Sequence, residues 1–359
     1  MQAPDAQWHR TVLQIRRTIE IESSLVKLPV DRVNPVYGRS SLSLKEAPVA
    51  RDELPVLPAH PAGDRFGRDR SALRLPDFLK KQVGKGSAVR AVKQILRQGQ
   101  LTTVCEEARC PNLAECFSHR TATFMIMGAD CTRACGFCAV GTARPKPLDP
   151  AEPGRVAESA AALGLEHVVI TSVNRDDLAD GGSHHMRATV EAVHRRLPDA
   201  AIEVLTPDFC GSMDDVSVVA EGPLDVYNHN VETIPRLYAR VRPRARYEWS
   251  LGVLEHVATQ FPEVAVKSGL MVGFGEERDE VFKLLDDLAA VGVDIVTIGQ
   301  YLRPSLTHVP VVQYLTEEAY QVYIDYGTKA GFKHVFAGPF VRSSYNASEA
   351  LRAAREKTP

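Results

Sequence analysis

From residue 122 onward, hydrophobic and polar positions follow two alternating periods. Short apolar runs at 122–127, 167–171, 201–205, 225–228, 264–272 and 294–298 read as strands. Between them, 155–163, 186–197, 249–260 and 278–291 repeat apolar residues at three- and four-residue spacing and read as helices. Strand–helix alternation of this kind builds a parallel sheet. Six such units predict an α/β fold, a partial (β/α)6 barrel of the TIM type. An open doubly wound sheet shows the same alternation, but its first strand is followed by a glycine-rich phosphate turn. Here a cysteine-bearing loop follows it.

Upstream the pattern is weaker. Residues 77–81 and 87–98 read as amphipathic helices leading into the first cysteines. Residues 1–70 lack periodicity and carry Pro29, Pro35, Pro48, Pro55, Pro58 and Pro61, so they read as extended or disordered. Charge divides along the same line. Residues 1–100 hold 18 Lys+Arg against 10 Asp+Glu, while the remainder is acidic and the whole chain sums to −2. A basic leading tract suits an acidic protein partner, although a solvated segment has the same composition; nothing else here points to nucleic acid. No window reaches the roughly 18 uninterrupted apolar residues of a membrane span. The first residues lack a secretory pattern, and Asp5, Glu20 and Glu22 interrupt the basic run a mitochondrial presequence needs. The expected location is the cytoplasm, or the mitochondrion in a eukaryote.

Six of the seven cysteines fall between positions 105 and 138. In a chain without an export signal, such clustering points to metal ligands rather than disulfides. Cys131-Thr-Arg-Ala-Cys135-Gly-Phe-Cys138 is a CxxxCxxC loop, three thiolates for three corners of a cubane cluster. The fourth iron stays open. It can chelate the amino and carboxylate groups of S-adenosylmethionine (SAM), and a reduced cluster can then cleave the sulfonium to release a carbon radical. A structural zinc site is the alternative, but it prefers paired CxxC spacing and four closed ligands. Cys105, Cys110 and Cys116 form a second trio, again without a fourth cysteine nearby. Cys210 stands alone after the third strand, as that ligand, a buried thiol or a surface residue.

The two trios in this order resemble the lipoyl synthase family, and Arg342-Ser-Ser-Tyr345 resembles that family's RSSY signature. So do 171–182, 228–232, 267–273, 299–302 and 338–342; the likeness spans about residues 75–346. The resemblance implies a radical SAM partial barrel over 121–310. Before it, residues 71–120 carry auxiliary-cluster cysteines; after it, 311–359 form a C-terminal helix and the RSSY segment. It implies two 4Fe-4S clusters and SAM, one cluster on Cys131, Cys135 and Cys138. The other sits on Cys105, Cys110, Cys116 and Ser344, with Ser343 as the alternative. The implied activity is a sulfurtransferase inserting two sulfur atoms, at C6 and C8, into a protein-bound N6-octanoyl-lysine, the sulfur coming from the auxiliary cluster. The implied partners are an octanoylated lipoyl carrier domain of a 2-oxo acid dehydrogenase or the glycine cleavage H protein, reduced ferredoxin or flavodoxin, and an iron-sulfur carrier that rebuilds the consumed cluster. Serine is a harder and weaker iron ligand than thiolate, which suits a cluster meant to be dismantled.

Three features depart from the family pattern: Cys210 stands where an arginine is expected, Asn174 where aspartate is common, and residues before 70 have no counterpart. Among the remaining polar residues, Gly269, Met271, Gly273 and Glu276 fit a GxMxGxxE pattern resembling the SAM-contact strand of the superfamily, or a plain strand-to-helix turn. Asn174, Asn228, Asn230 and Glu232 are expected near SAM or substrate, with strand alternation placing the two latter asparagines on one face; satisfied core polar groups are the alternative. His184, His185 and His229 read as ordinary histidines, and Asp176 and Asp177 as caps of the next helix. A different radical SAM enzyme with an auxiliary cluster, such as a methylthiotransferase, is the rival enzyme reading, and RSSY argues against it. A non-catalytic metal scaffold is the rival from outside enzymes; six loop-bearing βα units are more than it needs.

Overall fold

A computed structural model describes residues 56–58, 75–79, 87–107, 110–118 and 121–356. Its strands, in chain order, are β1 (Val56–Pro58), β2 (Thr102–Thr103), β3 (Thr121–Ile126), β4 (Asp130–Cys131), β5 (Gly141–Thr142) and β6 (His167–Ser172). Then come β7 (Ala201–Leu205), β8 (Val226–Asn228), β9 (Ala265–Val272), β10 (Ile295–Gln300), β11 (Gln313–Leu315) and β12 (His334–Gly338). The main sheet has the order β12-β10-β9-β8-β7-β6-β3-β2. Every pair from β3 to β12 is parallel, and only β2 runs antiparallel, along β3. Neighbours in space are neighbours in sequence. Right-handed crossovers in such a series put the helices on one side of the sheet, so the sheet curls with the other face inward. This is the partial barrel that the alternation predicts.

Both faces of the central strands are covered. Val168, Val169 and Ile170 of β6 are fully buried, as are Ile295, Val296 and Ile298 of β10. Each such side chain contributes about 1.5–3 kcal/mol on burial. Helices Glu152–Leu163, Ser183–Arg196, Tyr247–Gln260 and Arg278–Ala290 supply the outer layer. The first ends on Gly164, left-handed at φ 63°, whose N–H closes back on Ala160 and Ala161 carbonyls. Arg278–Ala290 opens with a capping box between Glu277 and Glu280. The inner face carries charge. Lys267 Nζ of β9 reaches both oxygens of Glu203 of β7 at 2.9 and 3.1 Å, with neither side chain exposed. Asn228 Nδ2 adds a third bond to Glu203 at 3.2 Å, and His167 stands 3.5 Å away.

The structure corrects the sequence reading in places. Residues 77–79 form one 3-10 turn rather than the start of an amphipathic helix; Lys80 and Lys81 lie outside the described residues, as does residues 1–70 apart from β1. β12 is a seventh parallel strand where a helix and a loop were expected, preceded by helix Glu317–Ala330 and followed by helix Ala347–Glu356. Helix Met213–Ala220 was also unanticipated; its eight residues include three valines, a composition that reads equally as strand. β1 pairs antiparallel with β11, a register that laces the leading segment onto the C-terminal ends of β9 and β10, where Val312 N bonds Gly273 O. No helix among the described residues is long and apolar enough to cross a membrane.

Candidate functional site

The CxxxCxxC loop leaves β3 and lies across the carboxyl ends of the strands. Gly136 is its fulcrum: its N–H donates to Val241 O at 2.9 Å and its carbonyl accepts from Val309 N at 2.9 Å. A Cβ there would stand 2.6 Å from Val309 Cγ2 and 2.9 Å from Arg240 O, so only glycine lets the loop sit this low. Thr132 donates from both N and Oγ1 to Asn174 O, and His308 Nε2 pairs with Cys138 O at 2.8 Å. Burial pushes the Cys135 thiol up to about 12, with Cys138 and Cys131 adding to the shift and Arg242 opposing it; Cys138 is pushed up to about 11, again by burial first. Without metal these thiols are protonated at neutral pH, and only a metal can take them as thiolates.

Local backbone turns run through the second trio. Cys110 N bonds Cys105 O at 3.0 Å, and Cys116 N bonds Asn112 O at 2.9 Å. Burial, then the neighbouring Cys110, raise Cys105 to about 11, while the backbone N–H of Thr123 points at its sulfur. The hydroxyl of the same Thr123 donates to Ser344 Oγ at 3.0 Å. Thr123 therefore touches both Cys105 and Ser344. Two further bonds lash the C-terminal segment to the cysteine segment: Asn112 Nδ2 to Phe340 O at 2.7 Å, and Tyr345 Oη to Glu115 Oε1 at 3.0 Å. All seven cysteines are free of disulfides. Among the described residues no three His, Cys, Asp or Glu side chains converge as a group that could hold a metal ion.

Of the residues expected around SAM, Asn174 accepts from Thr132 of the CxxxCxxC loop and Glu232 acts on the Cys135 and Cys138 thiols. Asn230 Nδ2 donates to Glu232 Oε1 at 3.1 Å, while Asn230 Oδ1 and Asn174 Oδ1 are buried without a partner among the described residues. A Cβ on Gly269 would meet Asn230 Oδ1 at 2.8 Å and Thr297 Oγ1 at 2.7 Å, so the missing side chain makes room for these two oxygens in a polar recess. Asn228 and Asn230 share the inner face, one bonded to the partner of Lys267 and the other against Gly269. Glu232 adopts a left-handed φ of 65° and hydrogen-bonds β9 from both its N–H and its carbonyl. Burial raises its pKa, and the nearby Arg242 opposes that rise. Orphaned acceptors in this polar recess, with a trio of thiols that lacks a fourth cysteine, fit a cluster with SAM on its free corner; the Cys105, Cys110 and Ser344 grouping fits a second cluster.

Other expected residues have local employment. Glu276 accepts from the Gly273 and Phe274 N–H groups, so its carboxylate builds the turn after β9. Gly273, at φ 112°, is required there: a Cβ would fall 2.3 Å from Gln300 Nε2. Asp176 and Asp177 do not cap a helix. They bind Arg133 and Arg175, and helix Ser183–Arg196 starts on Gly182 without a side-chain cap. His229 bridges Thr206 O and Ser250 Oγ, and burial lowers its pKa to about 4; His185 pairs with Glu152 and His184 with Asp180. Cys210 is exposed, its sulfur 3.2 Å from Arg133 Nη2. Thr123, Asn112 and Asp208 escaped the sequence reading because nothing in their local pattern marks contacts made across more than 70 residues.

The chain is similar to known proteins. The radical SAM superfamily matches residues 125–288, and the N-terminal domain of lipoyl synthase matches residues 61–110. The lipoyl synthase of Rubrobacter xylanophilus is 50% identical over 290 residues, covering 81% of this chain and 90% of that protein. The lipoyl synthase of Stenotrophomonas maltophilia is 48% identical over 301 residues, with the same coverages of 81% and 90%. The crystal structure of methylornithine synthase covers 78% of this chain and 90% of its own at 14% identity, with a TM-score of 0.47. At half of all positions over four fifths of its length, the chain belongs to the lipoyl synthase family of radical SAM enzymes.

Proposed function

We propose that this enzyme is a lipoyl synthase, inserting sulfur at C6 and C8 of an octanoyl chain carried on a lysine of a lipoyl domain. The observation that carries the reading is the pair of contacts made by Thr123, which gathers Ser344 beside Cys105. Cys131, Cys135 and Cys138 would hold one 4Fe-4S cluster, and Cys105, Cys110, Cys116 and Ser344 the other. When bound, the two clusters and SAM supply a carbon-centred radical and the sulfur. The protein's own work is placement. Unpartnered Oδ1 atoms of Asn174 and Asn230 offer acceptors to the polar groups of SAM. Asn228 and Glu232 shape that recess, and Gly273 with Glu276 fixes the turn at its edge. The Thr123 hydroxyl supports an oxyanion on Ser344, since hydrogen bonding to the charged form favours it.

The reading implies an octanoylated lipoyl carrier domain as substrate, reduced ferredoxin or flavodoxin as electron donor, an iron-sulfur carrier that restores the sacrificed cluster, and a cytoplasmic setting. Anaerobic reconstitution with iron and sulfide, followed by SAM, reductant and an octanoyl-lysine peptide, tests it by mass spectrometry. About eight irons per chain and two sulfurs gained by the peptide are expected for two four-iron clusters. About four irons, with SAM cleavage and no sulfur transfer, would discard lipoyl synthesis and keep the radical chemistry.

A further inference from the structure

Arg133, the third residue of the CxxxCxxC loop, is held by carboxylates from two other loops. Its Nε lies 2.8 and 3.1 Å from the two oxygens of Asp176, and Nη2 lies 2.8 Å from Asp176 Oδ1. On the other edge, Nη1 and Nη2 each reach one oxygen of Asp208 at 2.8 Å. Arg133 is 5% exposed and Asp208 not at all. Asp176 follows β6 and Asp208 follows β7, so one guanidinium ties the loop after β3 to the next two. Burial opposes charge on Arg133, but its bonds to Asp208 and Asp176 outweigh that and raise its pKa.

This grip is more than a surface ion pair. Two bidentate forks, the one to Asp208 buried and the one to Asp176 partly open to solvent, use the planar donor set of arginine in a way lysine cannot reproduce. The backbone is also bent to present Asp208. Phe209, Cys210 and Gly211 follow it at φ 45°, 52° and 83°, and Asp208 Oδ1 accepts from Cys210 N at 3.0 Å. Two consecutive non-glycine residues in the left-handed region are uncommon, and such strain persists only where surrounding contacts enforce it. The turn also lays Cys210 Sγ against Nη2 on the exposed side of the guanidinium. Meanwhile Thr132, one residue before Arg133, is bonded to Asn174 O and to Asp176 N.

We propose that Arg133, Asp176 and Asp208 are positioning residues that set the CxxxCxxC loop at a fixed height over the Asn174 segment before any cluster is bound. Cys131 and Cys135 then face the SAM recess in the metal-free chain, and cluster insertion does not have to order the loop. The inference rests on the proposed cluster but not on the identity of the acyl substrate.

Hydrogen exchange of the full-length metal-free protein tests it, alongside electron paramagnetic resonance of the reconstituted, reduced enzyme with and without SAM. Arg133→Lys and Asp208→Asn are expected to speed exchange of residues 131–138 by about tenfold or more, with the rest of the sheet unchanged. They are also expected to weaken the spectral change on adding SAM and to raise its KM more than they lower kcat. Wild-type exchange in the loop, or faster exchange spread over the whole sheet with a normal response to SAM, would overturn the proposal. Should those two variants not fold, Asp176→Asn, whose side chain is 20% exposed, carries the same test with the same two outcomes. Neither readout needs an octanoyl substrate, so failure of sulfur insertion and failure of the clamp are separable.

Discussion

Thr123 Oγ1 donates to Ser344 Oγ across 3.0 Å, joining the first barrel strand to a segment 221 residues later. If Ser344 closes the auxiliary site, Ser344→Ala removes one ligand there and leaves the CxxxCxxC loop intact. The expected enzyme still cleaves SAM but transfers no sulfur, with its iron content falling toward about four per chain, one four-iron cluster. Thr123→Val keeps the serine and removes its donor, costing about 1 kcal/mol of stability. Iron counts and product mass spectra check the first variant, and urea unfolding the second. Full sulfur transfer by Ser344→Ala would remove the serine from the site.

Gly299, at the end of β10, controls whether that segment can dock. A Cβ there would stand 2.2 Å from Val341 O and 3.1 Å from Arg342 Nη1. The nearer atom is backbone, so the RSSY loop must move rather than a side chain rotate. Gly299→Ala is therefore expected to behave like Ser344→Ala in sulfur transfer while keeping the SAM-cleaving cluster. The check is the ratio of 5'-deoxyadenosine formed to sulfur inserted, which should rise by about tenfold or more.

The six strands β3, β6, β7, β8, β9 and β10 were legible because their apolar runs are bounded by turn residues and separated by helical spacing. β12 was not, since His334-Val-Phe-Ala-Gly338 is short and leads directly into the RSSY loop. The cysteine trios were legible as spacing. The bonds that tie the second trio's segment to the C-terminal segment were not, because those of Asn112 to Phe340 and Tyr345 to Glu115 span about 230 residues. Glu276 shows the opposite limit. Its motif position suggested ligand contact, whereas its carboxylate serves the backbone two and three residues upstream.

Lys267 and Glu203 are fully buried, so removing one charge strands the other. Lys267→Met is expected to destabilise the fold by about 3–5 kcal/mol, and Lys267→Met with Glu203→Leu to recover much of that loss. Glu203 has a lowered pKa: burial alone would raise it, and Lys267 and His167 together outweigh burial. A carboxylate lowered in the folded state adds stability above its unfolded pKa and loses it as pH falls through the folded value. The gap in urea midpoint between wild type and Glu203→Gln should therefore narrow as pH drops below the ordinary carboxylate range. A gap constant from pH 7 to pH 3 would count against the pairing.

The thiols give a prediction at the other end of the pH scale. Cys105 and Cys138 are raised from 9.0 to about 11 and Cys135 to about 12, in each case mainly by burial. For an acid whose folded pKa is raised, the contribution to stability is complete below the unfolded value and is lost as pH climbs through the folded one. The metal-free protein should thus hold its unfolding midpoint up to about pH 9 and lose it between about pH 9 and 12. Buried tyrosines titrate in the same window, so the comparison is with the variant carrying Cys105→Ser, Cys135→Ser and Cys138→Ser, whose loss should be smaller. The same shifts make iodoacetamide labelling near pH 8 slow at these three sites; Cys210, whose pKa burial and Asp176 also raise, should label faster because it is exposed. Filling the clusters must expel the thiol protons, so the pH-dependent stability should disappear in the reconstituted enzyme. An equal alkaline loss in the holoenzyme would mean that these cysteines are not its ligands.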